Sequence, residues 1–266
     1  MSKNIIESKK FEPAELYFEL QASWGLTKHM GGLKATREIL ELCHVNKDSY
    51  VLDVGCGVGA TACYIAKEYG CKVVGVDLSE GMIDRSRERA KRKGVEDRVK
   101  FMVADAQNLP FKDDLFDTFI SESVTVFLED KQKAVSEYAR VTKPGGYVGL
   151  NEVTWINPPP AEVADYLSHA LGGAEFLTSD VWKKLLEGSG LTNIGVKTYE
   201  TNALSQWANE MKSLDFRDFA KAWYKFFSLC IKSRAVRKYV RELWPPPKSI
   251  FRIFKYFGYG LYVGRK

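Results

Sequence analysis

Between residues 50 and 155 the apolar positions keep two rhythms that take turns. "VLDVG" at 51–55 is a short apolar run ending in glycine, the pattern of a strand buried on both faces of a parallel sheet. "ATACYIAKEYG" follows with helical spacing. "CKVVGVDLS" predicts a second strand, and "EGMIDRSRERAKRKG" a helix stopped at Gly94. "RVKFMVADA" and "FDTFISES" read as two more strands. "KQKAVSEYARVTKPGG" reads as a helix closed by Pro144, Gly145 and Gly146, and "YVGLNEVTW" as the fifth strand. Strands alternating with helices of this length predict an α/β fold with a doubly wound, mostly parallel sheet.

The flanks differ. "AELYFELQASWGL" and "GLKATREILELCHV" predict helices ahead of the first strand. After Trp155, "INPPPAEVADYLSHALGGAE" is a proline-led connection and a helix. "TSDVWKKLLEGSGL" is a further helix, with Thr178 or Ser179 as its N-cap and Gly188 or Gly190 beyond its end. "TNIGVKTYE" is a sixth strand, residues 203–247 are helical up to "WPPPK", and "FGYGLYVGRK" is a closing strand. The chain then divides into a helical N-terminal part (1–48), a core (49–202 with 248–266) and a helical insertion (203–247).

Composition narrows the class. At 266 residues, 45% hydrophobic and 27% charged, the chain reads as a soluble globular protein. "MSKNIIESKK" lacks the apolar stretch of a secretory signal, and no run nears the roughly 18 apolar residues of a membrane span. Cysteines 43, 56, 63, 71 and 230 are odd in number and hold no CxxC pair, which reads as reduced thiols. Together these predict a cytoplasmic protein. Three histidines far apart in sequence give no sign of a metal site. The net charge of +5 hides a split: residues 211–266 carry fourteen Lys or Arg against three acids, together with fourteen aromatics.

The candidate chemistry begins at "VLDVGCGVG". A strand that breaks into a glycine turn and restarts as a helix gathers unpaired backbone N–H groups at one spot, which suits a ligand. The spacing of Gly55, Gly57 and Gly59 is G-x-G-x-G, not the G-x-G-x-x-G of dinucleotide sites. Asp53 precedes the turn, where a carboxylate meets a cationic group. Asp77 ends the second strand, where an acid accepts from ribose hydroxyls, and Asp105 ends the third, beside where a base would lie.

"VLDVGCGVG", "VVGVDLS", "VADAQNLPF", "FDTFISE" and "RVTKPGGYVGL" occur in that order over about residues 50–155. They resemble the successive motifs of the class I S-adenosylmethionine-dependent methyltransferases. The resemblance implies a seven-stranded Rossmann-like sheet with an antiparallel last strand, S-adenosyl-L-methionine as donor and S-adenosyl-L-homocysteine as product. It implies that Gly55, Cys56, Gly57 and Gly59 lie against the methionine part of the donor, with Asp53 nearby. Asp77 would then bind the ribose beside Leu78 and Met82, and Asp105 with Ala106 would meet the adenine. Residues 1–48 would form a lid in which Gly31 and Gly32 offer N–H groups to the donor carboxylate, and 203–247 a cap.

"ISESVT" further resembles the Glu-containing loop of the sterol, tocopherol and menaquinone-type carbon-methyltransferase branch, which makes Glu122 a catalytic candidate. It would steady a carbocation or take a proton. His29 is a second catalytic candidate, and Tyr17, Trp24, Glu152 and Trp155 are acceptor-side candidates. In "NEVTW" two residues separate Glu152 from Trp155, a departure from the Glu-Trp step of sterol enzymes. The expected function is methylation of a hydrophobic acceptor: a lipid quinone, a prenyl ring or a sterol-like alkene. The basic, aromatic insertion suggests either an anionic membrane surface, as a peripheral partner, or a phosphate-bearing acceptor. Nucleic acid ranks below it. N- or O-methylation of a small polar metabolite stays open, as does a protein that binds the donor without turnover.

Overall fold

The computed structural model describes residues 29–202, 216–242 and 253–266. The elements in chain order are α1 (Gly32–Leu42), β1 (Tyr50–Val54), α2 (Ala60–Tyr69), β2 (Lys72–Asp77), α3 (Glu80–Lys93), β3 (Val99–Val103) and β4 (Phe116–Glu122). A short 3-10 turn (Thr125–Phe127) leads to α4 (Lys131–Val141), β5 (Thr142–Trp155), α5 (Ala161–Ala170), β6 (Leu177–Thr178), α6 (Ser179–Gly188) and β7 (Thr192–Glu200). Helices α7 (Phe216–Lys232) and α8 (Arg234–Glu242) precede β8 (Phe257–Arg265). The first expected helix, "AELYFELQASWGL", lies outside the described residues, as do Tyr17 and Trp24.

Side chains that alternate along each strand sort the core into two layers. Val51 of β1 and Ile120 of β4 pack with Ile39 and Leu40 of α1 and Ile65 of α2. Their neighbours Leu52 and Phe119 point the other way, toward Tyr138 of α4 and Trp182 of α6. The Phe119 and Tyr138 rings stack at 4.1 Å. Both faces are therefore covered, which is why the strands read as unbroken apolar runs.

The strand order is β3-β2-β1-β4-β5-β8-β7, with the two-residue β6 beside β5. The first five strands pair in parallel, and β8 is antiparallel to both of its neighbours. This is the expected doubly wound sheet with its reversed last strand. From β1 the chain winds outward to β2 and β3, then returns as β4 on the other side of β1. Such a reversal opens a crevice at the C-terminal ends of the two central strands.

One boundary differs from the sequence reading. Helix α4 stops at Val141, and the Lys143–Gly146 stretch belongs to β5 instead of capping the helix. Thr142 Oγ1 donates back to Tyr138 O at 2.7 Å, closing the last helical turn. Gly145 N–H then donates to Lys266 O, and Lys266 N–H to Gly146 O, so the last residue draws this segment into the ladder. The register shift between Phe116 and Thr118 accommodates Pro144, which has no N–H to offer a regular ladder.

Trp182 is fully buried, with its ring centroid 5.8 Å from that of Tyr262. Trp182→Ala is expected to cost about 3–5 kcal/mol of unfolding free energy. Trp182→Phe should cost less than about 2 kcal/mol, because the indole N–H it removes is buried without an acceptor among the described residues. Urea denaturation of the two variants checks the ranking; equal losses would contradict this packing.

Candidate active site

The glycine turn sits where β1 ends, and its N–H groups are already engaged. Gly55 and Cys56 both donate to Val76 O at 2.8 and 2.9 Å, and Gly59 donates to Cys56 O at 2.8 Å. Gly57 donates to Asp77 Oδ2 at 2.9 Å. The expectation of unpaired donors is therefore corrected at these four positions: β2 satisfies three of them and the turn satisfies itself at the fourth. What the glycines supply is space. Gly55 has φ +70°, and a Cβ there would overlap Val124 Cγ2, so only glycine lets the β4 loop close on the turn.

Asp53 lies one register step before the turn, paired across the seam with Ile120 of β4. Its side chain is on the α1–α2 face and buried, with the Ala62 backbone N–H donating to it. Its Oδ2 is buried with no donor among the described residues. Burial pushes the Asp53 carboxyl well above the usual carboxylate range, and the nearby Glu122 adds to that shift. An acid held this way favours a cation beside it.

Glu122 ends β4 on the same face and is the hub of a buried polar network. Thr36 Oγ1 of α1 donates to it at 3.0 Å, Thr61 Oγ1 of α2 at 2.8 Å, and Asn151 Nδ2 of β5 at 3.3 Å. Asn151 Nδ2 also donates to Met30 O at 2.9 Å. Thr36 has one hydroxyl proton, and a carboxylate only accepts. His29 Nε2, 2.9 Å from Thr36 Oγ1, is therefore the donor in that pair. It also lies 3.6 Å from Glu122 Oε1. The network gathers both catalytic candidates, and it ties residues 29–36 to three different elements of the core.

The ends of β2 and β3 complete the crevice. Asp77 is held by Gly57 N–H on one oxygen and by Ser79 N–H, at 2.9 Å, on the other. Burial raises its pKa, and these two N–H groups work against the shift. Leu78 is 75% exposed and Val103 46%, an apolar pair standing open beside buried Met82 and Ala106. Asp105 is exposed, and its Oδ1 accepts from Gln107 N–H at 2.9 Å. The residues suit a ligand with a cationic end near Asp53, hydroxyls near Asp77 and a flat apolar part near Leu78.

Glu152 faces the other side of β5. Its Oε1 accepts the Thr125 and Val124 N–H groups at 2.8 and 3.2 Å, and its Oε2 is buried with no donor among the described residues. Glu152 thus holds the turn that presses Val124 onto Gly55. Ser123, between the two acids, has φ +59°, a conformation that non-glycine residues seldom adopt. Trp155 packs its ring on Phe176 at 5.0 Å. Thr36, Thr61 and Asn151 carried no sequence signal: each is a lone polar residue in a different element, joined to Glu122 only by the fold.

Residues 52–150 match the methyltransferase domain family. An uncharacterised protein of Haemophilus influenzae is 33% identical over 178 residues, which cover 66% of this chain and 71% of that one. Phosphoethanolamine N-methyltransferase 1 of Arabidopsis thaliana is 32% identical over 62% of this chain and 33% of its own length. A probable chloroplastic tocopherol O-methyltransferase of rice, Oryza sativa subsp. japonica, is 30% identical over 63% and 49%. The chain thus spans a third to a half of the last two relatives. A structure of Haemonchus contortus phosphoethanolamine N-methyltransferase 2 with S-adenosyl-L-methionine shares the fold, with TM-score 0.67 and 20% identity over 99% of this chain and 59% of that one.

Burial raises the Glu152 pKa from 4.5 to about 7. A carboxyl raised on folding binds its proton more tightly folded than unfolded, so its contribution is lost as pH climbs from about 4.5 through about 7. The wild type should lose about 3 kcal/mol to this residue over that window. Glu152→Gln should remove that part of the decline. Urea unfolding at both ends of the window tests it, and an unchanged slope in the variant would count against it.

Proposed function

We propose, from the premise that this chain belongs to the class I S-adenosylmethionine-dependent methyltransferases, that it methylates a hydrophobic acceptor such as a lipid quinone, prenyl ring or sterol-like alkene. The observation that carries the donor side of this reading is Asp53, a buried acid with one oxygen unsatisfied beside a glycine turn. In this proposal Asp53 takes the cationic amino group of the donor. Gly55, Cys56, Gly57 and Gly59 make room for its methionine part, and Gly31 and Gly32 lie toward its carboxylate. Asp77 receives the ribose hydroxyls with Leu78 and Met82 beside it, and Asp105 with Ala106 flanks the adenine. When bound, the donor supplies a methyl group already activated by positive charge on sulfur. The protein's task is alignment, which is worth roughly 7–11 kcal/mol in favourable cases.

Glu122 is proposed as a fixed negative charge facing the reacting centre. Thr36, Thr61 and Asn151 set its direction, and a preorganised charge steadies a developing cation without reorganising. His29 acts as a positioning residue in this scheme, since its Nε2 donates toward Thr36. Residues 1–48 serve as the lid and 203–247 as the cap. Hydrophobic acceptors concentrate at membranes, and no helix among the described residues is long and apolar enough to cross one. The protein would therefore work on such acceptors from the surface. The tocopherol relative and the "ISESVT" resemblance support this acceptor class.

A second reading, N- or O-methylation of a small polar metabolite, draws on the phosphoethanolamine relative and on the acidic pair, which would also welcome an amine. Donor binding without turnover is the third.

S-adenosylhomocysteine should raise the melting temperature as ligand linkage requires, and NADH should not; the reverse ranking would sink the donor assignment. Labelled donor incubated with lipid and polar extracts should label a lipid product, whereas label confined to polar products would favour the second reading. Glu122→Gln should keep the melting shift and lose about 100-fold in turnover. Near-normal turnover would take Glu122 out of the mechanism.

A further inference from the structure

Helices α7 and α8 carry two stripes that the active site does not use. On α7, Trp223, Phe227 and Ile231 recur at i, i+4 and i+8, and are 46%, 56% and 78% exposed, with Tyr224 78% exposed beside them. The Trp223 and Phe227 rings lie 5.4 Å apart. On α8, Arg234, Arg237, Lys238 and Arg241 recur at i, i+3, i+4 and i+7, and all are exposed. Val236 is buried on the opposite side, and Ser233 is buried just ahead of the helix. Arg237 Nη1 donates to Cys230 O and Ile231 O at 2.8 and 2.7 Å, clasping the end of α7. This fixes the apolar stripe relative to the basic one. Between the helices runs an open cavity of about 560 Å³ lined by Phe227, Cys230, Ile231, Arg237, Val240 and Arg241.

We infer that α7 and α8 form a docking surface for an anionic lipid bilayer, with the aromatic and aliphatic stripe at the acyl boundary and the basic stripe on the headgroups. This rests on the hydrophobic-acceptor reading and gives it a partner surface. Charge complementarity selects the occupant. Residues 216–242 carry eight Lys or Arg against two acids. A second copy would set like stripes against each other, a costly arrangement. Nucleic acid would use the arginines and stack on aromatic rings, but Ile231, among the most exposed of the apolar set, has no ring to stack. An interfacial helix combines a bulky apolar face with Lys and Arg at its edge, as here.

The test is sedimentation of the full chain with phosphatidylcholine vesicles and with phosphatidylcholine–phosphatidylglycerol vesicles, at low and high salt. Retention is expected on the anionic vesicles and should weaken with salt. Combined Arg234→Gln, Lys238→Gln and Arg241→Gln should lower partitioning by more than about tenfold. Phe227→Ser with Ile231→Ser should do the same, and both variants should keep the melting shift with S-adenosylhomocysteine, which reports an intact core. No retention at low salt, or variants that bind like the wild type, would overturn the proposal. So would a dimer in light scattering that the serine pair dissolves, or capture of single-stranded DNA through these residues in preference to anionic vesicles. Loss of vesicle binding with labelled lipid product still formed in detergent would end the docking surface and leave the acceptor reading standing. Vesicle binding without any lipid product supports the surface and removes the acceptor.

Discussion

Two carboxylates on one face of the β1–β4 seam impose the condition that the rest of the site meets. Asp53 and Glu122 are both buried, and charge taken out of water is expensive unless other groups compensate it. The fold answers unequally. Glu122 is surrounded by donors from α1, α2 and β5, while Asp53 has the Ala62 N–H on one side and an unsatisfied oxygen on the other. The imbalance gives the crevice a direction. A cation entering it relieves Asp53 and leaves Glu122 where it already points.

The same arrangement joins the crevice to residues 29–36. Met30 is held through both of its backbone polar groups: its carbonyl accepts from Asn151, and its N–H reaches Ser123 Oγ at 3.5 Å. Thr36, one helical turn into α1, bonds the acid itself. Whatever alters the charge or direction of Glu122 therefore acts on residues 29–36 as well as on the crevice. On the opposite face Glu152 performs a comparable service for the β4 loop, holding Val124 against Gly55 through two backbone N–H groups. The crevice is thus walled by two acids whose side chains leave the sheet in opposite directions.

How much of this could be read from the chain depends on how local each signal is. Strand β1 stood in the apolar run "VLDV" because both of its faces are buried, and β7 and β8 stood in the β-branched and aromatic composition of "TNIGVKTYE" and "FGYGLYVGRK". Asp53, Asp77 and Asp105 were legible for a related reason: each follows an apolar run, and the end of a parallel strand is a place of known function. The Thr142–Gly146 stretch misled because Pro-Gly-Gly is a local stop signal, whereas its ladder partner is Lys266, 121 residues from Gly145. The turn N–H groups misled because their acceptors, Val76 O and Asp77 Oδ2, belong to another strand. Glu122 was visible as an acid in a loop motif, but its partners were not, since a threonine 86 residues away has no pattern to betray it.

Charge is the remaining link between site and surface. Residues 211–266 hold a net excess of eleven positive charges, while the chain as a whole holds only five, so the remainder is acidic. The segregation fits the two proposed tasks, which are opposite in sign. A crevice meant for a cationic donor gains from negative potential, and low-dielectric walls strengthen it. The proposed headgroup surface gains from the reverse. Mixing the two would weaken both, because arginines near Asp53 would satisfy the very oxygen that now attracts a cation. Six of those eleven net charges lie on α7 and α8, between β7 and β8, in a separate part of the chain from the glycine turn. The strand that follows the insertion, β8, pairs with β5 at Asn151 and Glu152. In that pairing Glu152 lies opposite Gly260 and Asn151 opposite Leu261.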